Sequence, residues 1–263
     1  VQNYDEKTAV EDYPDGIFVE FSKSYGSNCG ITVCGQYDEK NRFHIEYYFP
    51  FFRGTGITTQ EQVTVERHAD KEAFSGACDD LRIGITLIFY LQNGTEYMLE
   101  KQKKVSGNHF TTLSGLAGEG RILLPVLKDK EAVKVEKETS TNRSNLIAAA
   151  RNGDEEAMES LTMEDMDTYS MISHRIVHED ILSIVDSYFM PCGIQCDQYS
   201  VLGEILEFHT FENIATGEDL LQMKIDCNNI QFDVCINQKD LLGEPAVGRR
   251  FRGDIWLQGQ IHF

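Results

Sequence analysis

Gly248-Arg249-Arg250-Phe251-Arg252-Gly253-Asp254-Ile255-Trp256-Leu257-Gln258-Gly259 closes a region, residues 198–263, in which short alternating stretches are separated by turn residues. Polar and apolar residues that alternate with a period of two lie on opposite faces of a strand. Strands are expected over residues 200–208, 220–226, 230–237 and 251–263. The turns between them fall at Ala215-Thr216-Gly217, Asn228-Asn229 and Leu242-Gly243-Glu244-Pro245. Gly203, Gly253 and Gly259 lie inside strands, where they predict the bulges or sharp bends that a small closed sheet needs. Residues 191–263 therefore read as a small antiparallel β-barrel, OB-like by analogy, a module that binds more often than it catalyses alone.

Upstream, the pattern changes. Residues 144–190 read as a short helical unit. Leu146, Ala149 and Ala150 share one helix face that ends at Gly153, and Ala157, Met158 and Leu161 share the next. Thr162-Met163-Glu164-Asp165 resembles a capping sequence before a further helix, and residues 178–189 carry helical spacing up to Pro191. Residues 128–143 are charged, lack an apolar face and read as a linker. Residues 1–127 read as an α+β domain. A hairpin over residues 31–37 and 43–49 turns at Asp38-Glu39-Lys40-Asn41, a short strand covers 63–66, and residues 110–116 and 121–127 pair around Gly118-Glu119-Gly120. Residues 71–103 satisfy both helix and strand periodicities. Helix formers at both ends favour one long buried helix, with Asn93-Gly94 as the hairpin turn of the competing reading. The expected fold class is α+β throughout.

Charge narrows the partners. The net charge is −19, spread as −6 over residues 1–127, −7 over 128–190 and −6 over 191–263. A chain that is negative everywhere repels phosphate backbones and anionic lipid, so nucleic acid and membrane are not expected partners. No apolar run approaches the length of a membrane span. Seven cysteines, an odd number in a chain of 263 residues, read as free thiols in a reducing cytoplasm. The chain opens on Val1, from which a missing N-terminal piece is expected.

Three constellations carry candidate chemistry. Arg53, Glu66, Arg67 and His68 form the densest mixed-charge group, with Asp70 and Glu72 beside them. The Arg53-Gly54-Thr55-Gly56 loop offers open amides next to a guanidinium, which suits a carboxylate or phosphate. The competing reading is a structural loop whose neighbouring phenyl rings finish the core. His174 and His178 lie four apart, with Cys192 and Cys196 following, and together supply four metal-ligand types. Their spacing matches no zinc finger, so an exposed histidine pair and two small thiols are the favoured reading, and no cofactor is expected. Arg249, Arg250, Arg252 and Trp256 make a local positive and aromatic cluster, read as cross-strand ion pairs with Glu204 or Asp254 around a core tryptophan. Nucleophile-elbow, Walker A, zincin and dinucleotide fingerprints are absent from the sequence.

Several stretches carry a resemblance. They are Phe49-Pro50-Phe51-Phe52-Arg53-Gly54-Thr55-Gly56-Ile57-Thr58, Val65-Glu66-Arg67-His68, Leu87-Ile88-Phe89-Tyr90-Leu91-Gln92-Asn93, Leu146-Ile147-Ala148-Ala149-Ala150-Arg151, Tyr199-Ser200-Val201-Leu202-Gly203-Glu204-Ile205 and Asp240-Leu241-Leu242-Gly243-Glu244-Pro245. Across nearly its whole length the chain resembles a family of uncharacterised bacterial proteins, a domain of unknown function from clostridia-type anaerobes. The resemblance implies a bacterial, cytoplasmic origin and brings no activity, cofactor or catalytic residue. The expected function is a non-enzymatic module that binds a protein or small ligand. The alternative is an enzyme or small-anion binder working at Arg53, Glu66, Arg67 and His68.

Overall fold

A computed structural model describes residues 3–13, 16–68, 73–80, 82–103, 110–126, 142–143, 145–150 and 152–263. Nine strands and three labelled helices outline its first two thirds. They are β1 (Glu6–Tyr13), β2 (Gly16–Gly26), β3 (Cys29–Tyr37), β4 (Phe43–Phe52), β5 (Val63–Arg67), β6 (Phe74–Asp79), β7 (Thr86–Leu91), α1 (Gly94–Lys103), β8 (Phe110–Leu123), α2 (Glu155–Ile176), α3 (Ile181–Ile184) and β9 (Tyr188–Pro191). The remainder is β10 (Gln198–Asn213), β11 (Glu218–Cys227), β12 (Ile230–Asn237), a 3-10 turn at Gln238–Asp240, β13 (Leu241–Leu242) and β14 (Arg250–His262). The fold mixes helix and strand and is mostly β.

β1 to β4 form an antiparallel meander, and the other strands form one mixed sheet of ten in the order β13-β8-β12-β11-β10-β14-β7-β6-β5, with β9 on β10. Within it, β10–β11–β12 is a second meander. β8 pairs in parallel with β12 and antiparallel with β14 along its whole length, from Phe110↔His262 to Leu123↔Arg250. β8, expected in the segment 1–127, therefore shares its ladders with strands expected in 191–263. The main core lies against the large sheet, with Leu87, Phe89, Val201, Leu202, Ile225, Ile230 and Phe251 all fully buried.

Several expectations are overturned. Residues 71–103 are not one helix: β6 and β7 form a hairpin and only Gly94–Lys103 is helical. Gly84 between these strands has φ +77, a left-handed conformation that a continuing right-handed helix excludes. Asp80 fixes that turn, accepting from the Arg82 and Ile83 amides through its side chain and carbonyl respectively. Gln92 and Asn93 lead into α1 and make no hairpin. Residues 110–127 do not form two strands around Gly118-Glu119-Gly120. β8 runs through all three residues because β14 pairs with it on both sides of them. Residues 155–176 form one helix capped by Asp154, whose side chain accepts from the Ala157 amide. Thr162 does not cap a second helix. Its hydroxyl donates to the Met158 carbonyl one turn back. Only Ile181–Ile184 is helical in 178–189; β9 follows, and Pro191 ends β9 opposite Tyr199 rather than stopping a helix.

Other readings hold. The Asp38–Asn41 turn closes β3 onto β4, with Asn41 at φ 58 and its amide bonded to the Asp38 carbonyl. Residues 145–150 are helical and Gly153 follows at φ +88, its amide bonded to Ala150. The four C-terminal strands lie where alternation places them: β10 and β11 run longer at both ends, β12 has the expected bounds and β14 lies one residue earlier. Register shifts fall between Ile205 and Glu207 and between Asp254 and Ile255, beside rather than at the strand glycines. The expected linker core, residues 128–141, lies outside the described residues.

The meander docks on the large sheet through β4. Phe18, Cys34, Phe49 and Phe51 meet Tyr90, with Trp256 packed alongside. At the end of β4 a buried glutamine pair replaces a missing ladder. Gln258 Nε2 donates to the Pro50 carbonyl (2.8 Å) and its Oε1 accepts from the Phe52 amide (3.1 Å). Gln92 Nε2 donates to Gln258 Oε1 (2.7 Å) and to the Phe52 carbonyl (2.8 Å), which also accepts from the Ser114 hydroxyl. Unsatisfied buried partners cost about 1–3 kcal/mol each. Gln258→Leu keeps the volume but strands the Pro50 carbonyl and the Phe52 amide, and is expected to destabilise by about 3 kcal/mol. Urea unfolding with an unchanged m-value and a lower midpoint checks this.

Candidate functional site

The Arg53 loop is already filled from within. Arg53 follows β4, and its guanidinium donates two bonds to Glu6, Nη1 to Oε1 (2.9 Å) and Nη2 to Oε2 (2.6 Å), over the Phe51 ring. Arg53 holds the Glu6 carboxyl below the ordinary range. The Thr55 amide and hydroxyl both donate to Oδ2 of Asp233, a carboxylate on β12 that is buried. The loop thus has the anion-binding geometry that its sequence suggests, and the chain's own carboxylates occupy it. Glu66 and Arg67 lie exposed on β5, the end strand of the large sheet. His68 follows, with Nε2 2.8 Å from the Ser75 hydroxyl. Arg53 and His68 are held by separate partners in separate sheets. Asp70 and Glu72 lie outside the described residues.

His174 is exposed near the end of α2, and His178 falls beyond the helix in the turn that follows. Cys192 is half-buried after β9, and Cys196 is exposed before β10. Among the described residues no group of three or more His, Cys, Asp or Glu side chains stands close enough to hold a metal ion. The arginine cluster also disperses. Arg249 donates to the Glu244 carbonyl. Arg250, almost fully buried, donates to the carbonyls of Leu124, Val185 and Leu182, tying α3 and the end of β8 together. Trp256 donates to Asp197. Glu204 stands opposite Arg250 in register, and the two form no ion pair.

Arg252 leads elsewhere. Its Nε donates to the Tyr188 hydroxyl, and it lines an open cleft of about 410 Å³. Two ladders position this cleft. β14 sets Arg252 opposite Arg121 and Asp254 opposite Glu119, while β13 runs beside Gly120 and Arg121 in parallel. Lys239 and Asp240 close one side, with Lys239 paired to Glu218. Gly118, Gly120 and Gly253 line the cleft through their backbone. A side chain at 120 or 253 would strike Phe251, but one at 118 would meet nothing within 4 Å. Among the described residues Glu119, Arg121 and Asp254 make no ion pair or side-chain hydrogen bond. Like charges directly opposite each other destabilise a sheet, and the cleft sets two such pairs side by side with no ion pair closed among the four side chains.

A family described as a domain of unknown function, E. rectale gene description (DUF3881), matches residues 1–259. The chain belongs to the DUF3881 family. This agrees with the clostridia-type resemblance of its sequence. No curated protein and no solved structure matches the chain. Among the described residues of this DUF3881 member, no helix is long and apolar enough to cross a membrane.

A second cluster lies buried between the sheets. Glu20, Cys34 and Tyr47 are successive cross-strand neighbours on β2, β3 and β4. The Cys34 thiol is 4.0 Å from Glu20 Oε1, and Tyr90 packs on the same group from β7. Burial pushes the Glu20 carboxyl up to about 7, against the opposing pull of Thr95 at the start of α1. Burial likewise raises the Cys34 thiol and the Tyr47 and Tyr90 phenols, so the thiol is a poor nucleophile. Folded Glu20 keeps its proton to about pH 7, whereas the unfolded carboxyl loses it near 4.5. The associated stability is complete below pH 4.5 and is lost as the pH rises through 7. Glu20→Gln is expected to exceed the unsubstituted chain by about 1 kcal/mol at pH 5 and by about 3 kcal/mol at pH 8. Chemical denaturation at the two pH values checks both sign and size.

Proposed function

We propose that the chain is a non-enzymatic, cytoplasmic binding module built on a small OB-like barrel, and that a protein or small-molecule ligand engages the cleft between β8 and β14. The observation that carries the reading is the two like-charged positions set opposite each other, Arg121 with Arg252 and Glu119 with Asp254, at the lining of an open cleft. A fold selected for stability alone gains nothing from this arrangement, whereas a ligand bearing both charges relieves it. The strand pairings support the barrel: β8–β12, β12–β11, β11–β10, β10–β14 and β14–β8 return to their starting point. A three-strand meander closed by two further strands is in keeping with a five-stranded Greek-key barrel, a fold that binds extended polymers on its surface. Seven unpaired thiols favour a reducing compartment, and a net charge of −19 disfavours nucleic acid. The anion-site alternative at Arg53 loses its donors to Glu6 and Asp233.

The test is amide NMR on the full chain with an arrayed set of free amino acids, oligosaccharides and capped pentapeptides. The expected result is saturable shifts at Gly118, Gly120 and Gly253 that weaken about tenfold in Arg121→Ala, with every probe recovered unchanged. Shifts confined to other surfaces, or conversion of any probe into product, overturn the reading.

A further inference from the structure

The spacing of the charges in the cleft specifies its ligand more closely. Glu119 and Arg121 are two residues apart on β8, as are Arg252 and Asp254 on β14, and the ladder places each beside its like-charged counterpart. Opposite side chains on an antiparallel pair stand about 5 Å apart. The result is a cationic pair and an anionic pair separated along the strands by one pleat repeat, about 7 Å. Diagonal contacts from Arg121 to Asp254 and from Arg252 to Glu119 would neutralise the group, and neither closes into an ion pair. Gly118, exposed beside this pattern, is not required there by packing, since a side chain on it would meet nothing within 4 Å. Glycine in a strand often marks the close approach of another backbone. Leu242, largely exposed on β13, offers an apolar rim beside Arg121.

We propose that the cleft receives an extended peptide segment carrying an acidic and a basic side chain two residues apart, the acid between Arg121 and Arg252 and the base between Glu119 and Asp254. This rests on the binding reading above. An extended peptide has the same repeat as the strands beneath it, so its side chains at i and i+2 face one way with the separation that the two charge pairs present. A free α-amino acid carries both charges on a single carbon and cannot reach both pairs. Adjacent charged residues in a peptide point to opposite faces and reach one pair only. The ligand is held by charge-assisted hydrogen bonds, so its binding weakens with salt.

The experiment titrates the full chain calorimetrically with two capped peptides of equal composition, Thr-Glu-Thr-Lys-Thr and Thr-Glu-Lys-Thr-Thr. The same titrations are run on the double exchange Glu119→Arg with Arg121→Glu. That exchange keeps the net charge and sets opposite charges across both ladder positions, so the cleft neutralises itself. The expected result is about tenfold tighter binding of the alternating peptide. The exchanged chain is expected to lose this preference while melting about 2 °C higher, which shows that it folds. Equal affinity for both peptides, lost in the exchanged chain, overturns the spacing rule and leaves the cleft as a binding site. Absence of peptide binding while other probes still shift the cleft amides also overturns the peptide assignment alone. No response at the cleft to any probe overturns both.

Discussion

The glutamine clasp between Gln258, Gln92 and the end of β4 is the contact on which the relation of the two sheets depends. β4 is the last strand of its meander, and beyond β3 it has no further strand to satisfy its backbone. Side chains from the large sheet substitute for one, supplying a donor to Pro50, an acceptor to Phe52 and two donors to the Phe52 carbonyl. Hydrogen bonds of this kind are directional where the surrounding Phe49, Tyr90 and Trp256 contacts are not, so the clasp sets the register of one sheet on the other. Two further features follow from that register. Glu20 meets Thr95 at the start of α1, and with Cys34 it is closed off from water, with Tyr47 partly buried beside them. The chain leaving β4 arrives at β12 with the Thr55 amide aimed at Asp233.

The charges inside this framework are handled in a consistent way. Asp233, Asp80 and Arg250 are all buried, and each is bound by several partners: Thr55 twice, Arg82 through a fork, and three carbonyls respectively. Glu20 differs in the outcome: it meets Thr95 and the Cys34 thiol, yet burial outweighs them and it holds its proton to about pH 7. Against that background the β8–β14 cleft stands out. It is open to solvent, where water screens the cost of like charges, and its lining combines both signs.

Much of the C-terminal region was legible because alternation and turn chemistry are local. Asn228-Asn229 and Ala215-Thr216-Gly217 announce their turns, and the alternating strands between them follow from period alone. The resemblance carried by stretches such as Phe49 to Thr58 pointed to the family. Residues 71–103 were misread because Leu81, Ile85, Ile88 and Phe89 fit a helical face while the left-handed turn at Gly84 leaves no mark beyond a single glycine. Gly118-Glu119-Gly120 looked like a turn because its composition is that of one. Pairing with β14 and β13, residues more than a hundred positions away, keeps it extended. The candidate site was hidden for the same reason. Arg252 was noticed, but its meeting with Arg121 is a fact of register, and register between distant strands is not written in either strand. Glu20 shares a strand face with Phe18 by alternation, and nothing local to it signals that a second sheet covers that face.

β8 also has a history imposed on it by its place in the chain. Both of its long ladders are made with strands synthesised more than a hundred residues later. The closure entropy of such pairings must be met before they return any stability, which slows folding relative to a protein of mainly local contacts. During synthesis β7, β8 and β10 all exist before β14, the strand that joins them, has been made. For that interval their edges are unpaired and open to other chains. The net charge of −19 opposes association between neighbouring copies during that interval.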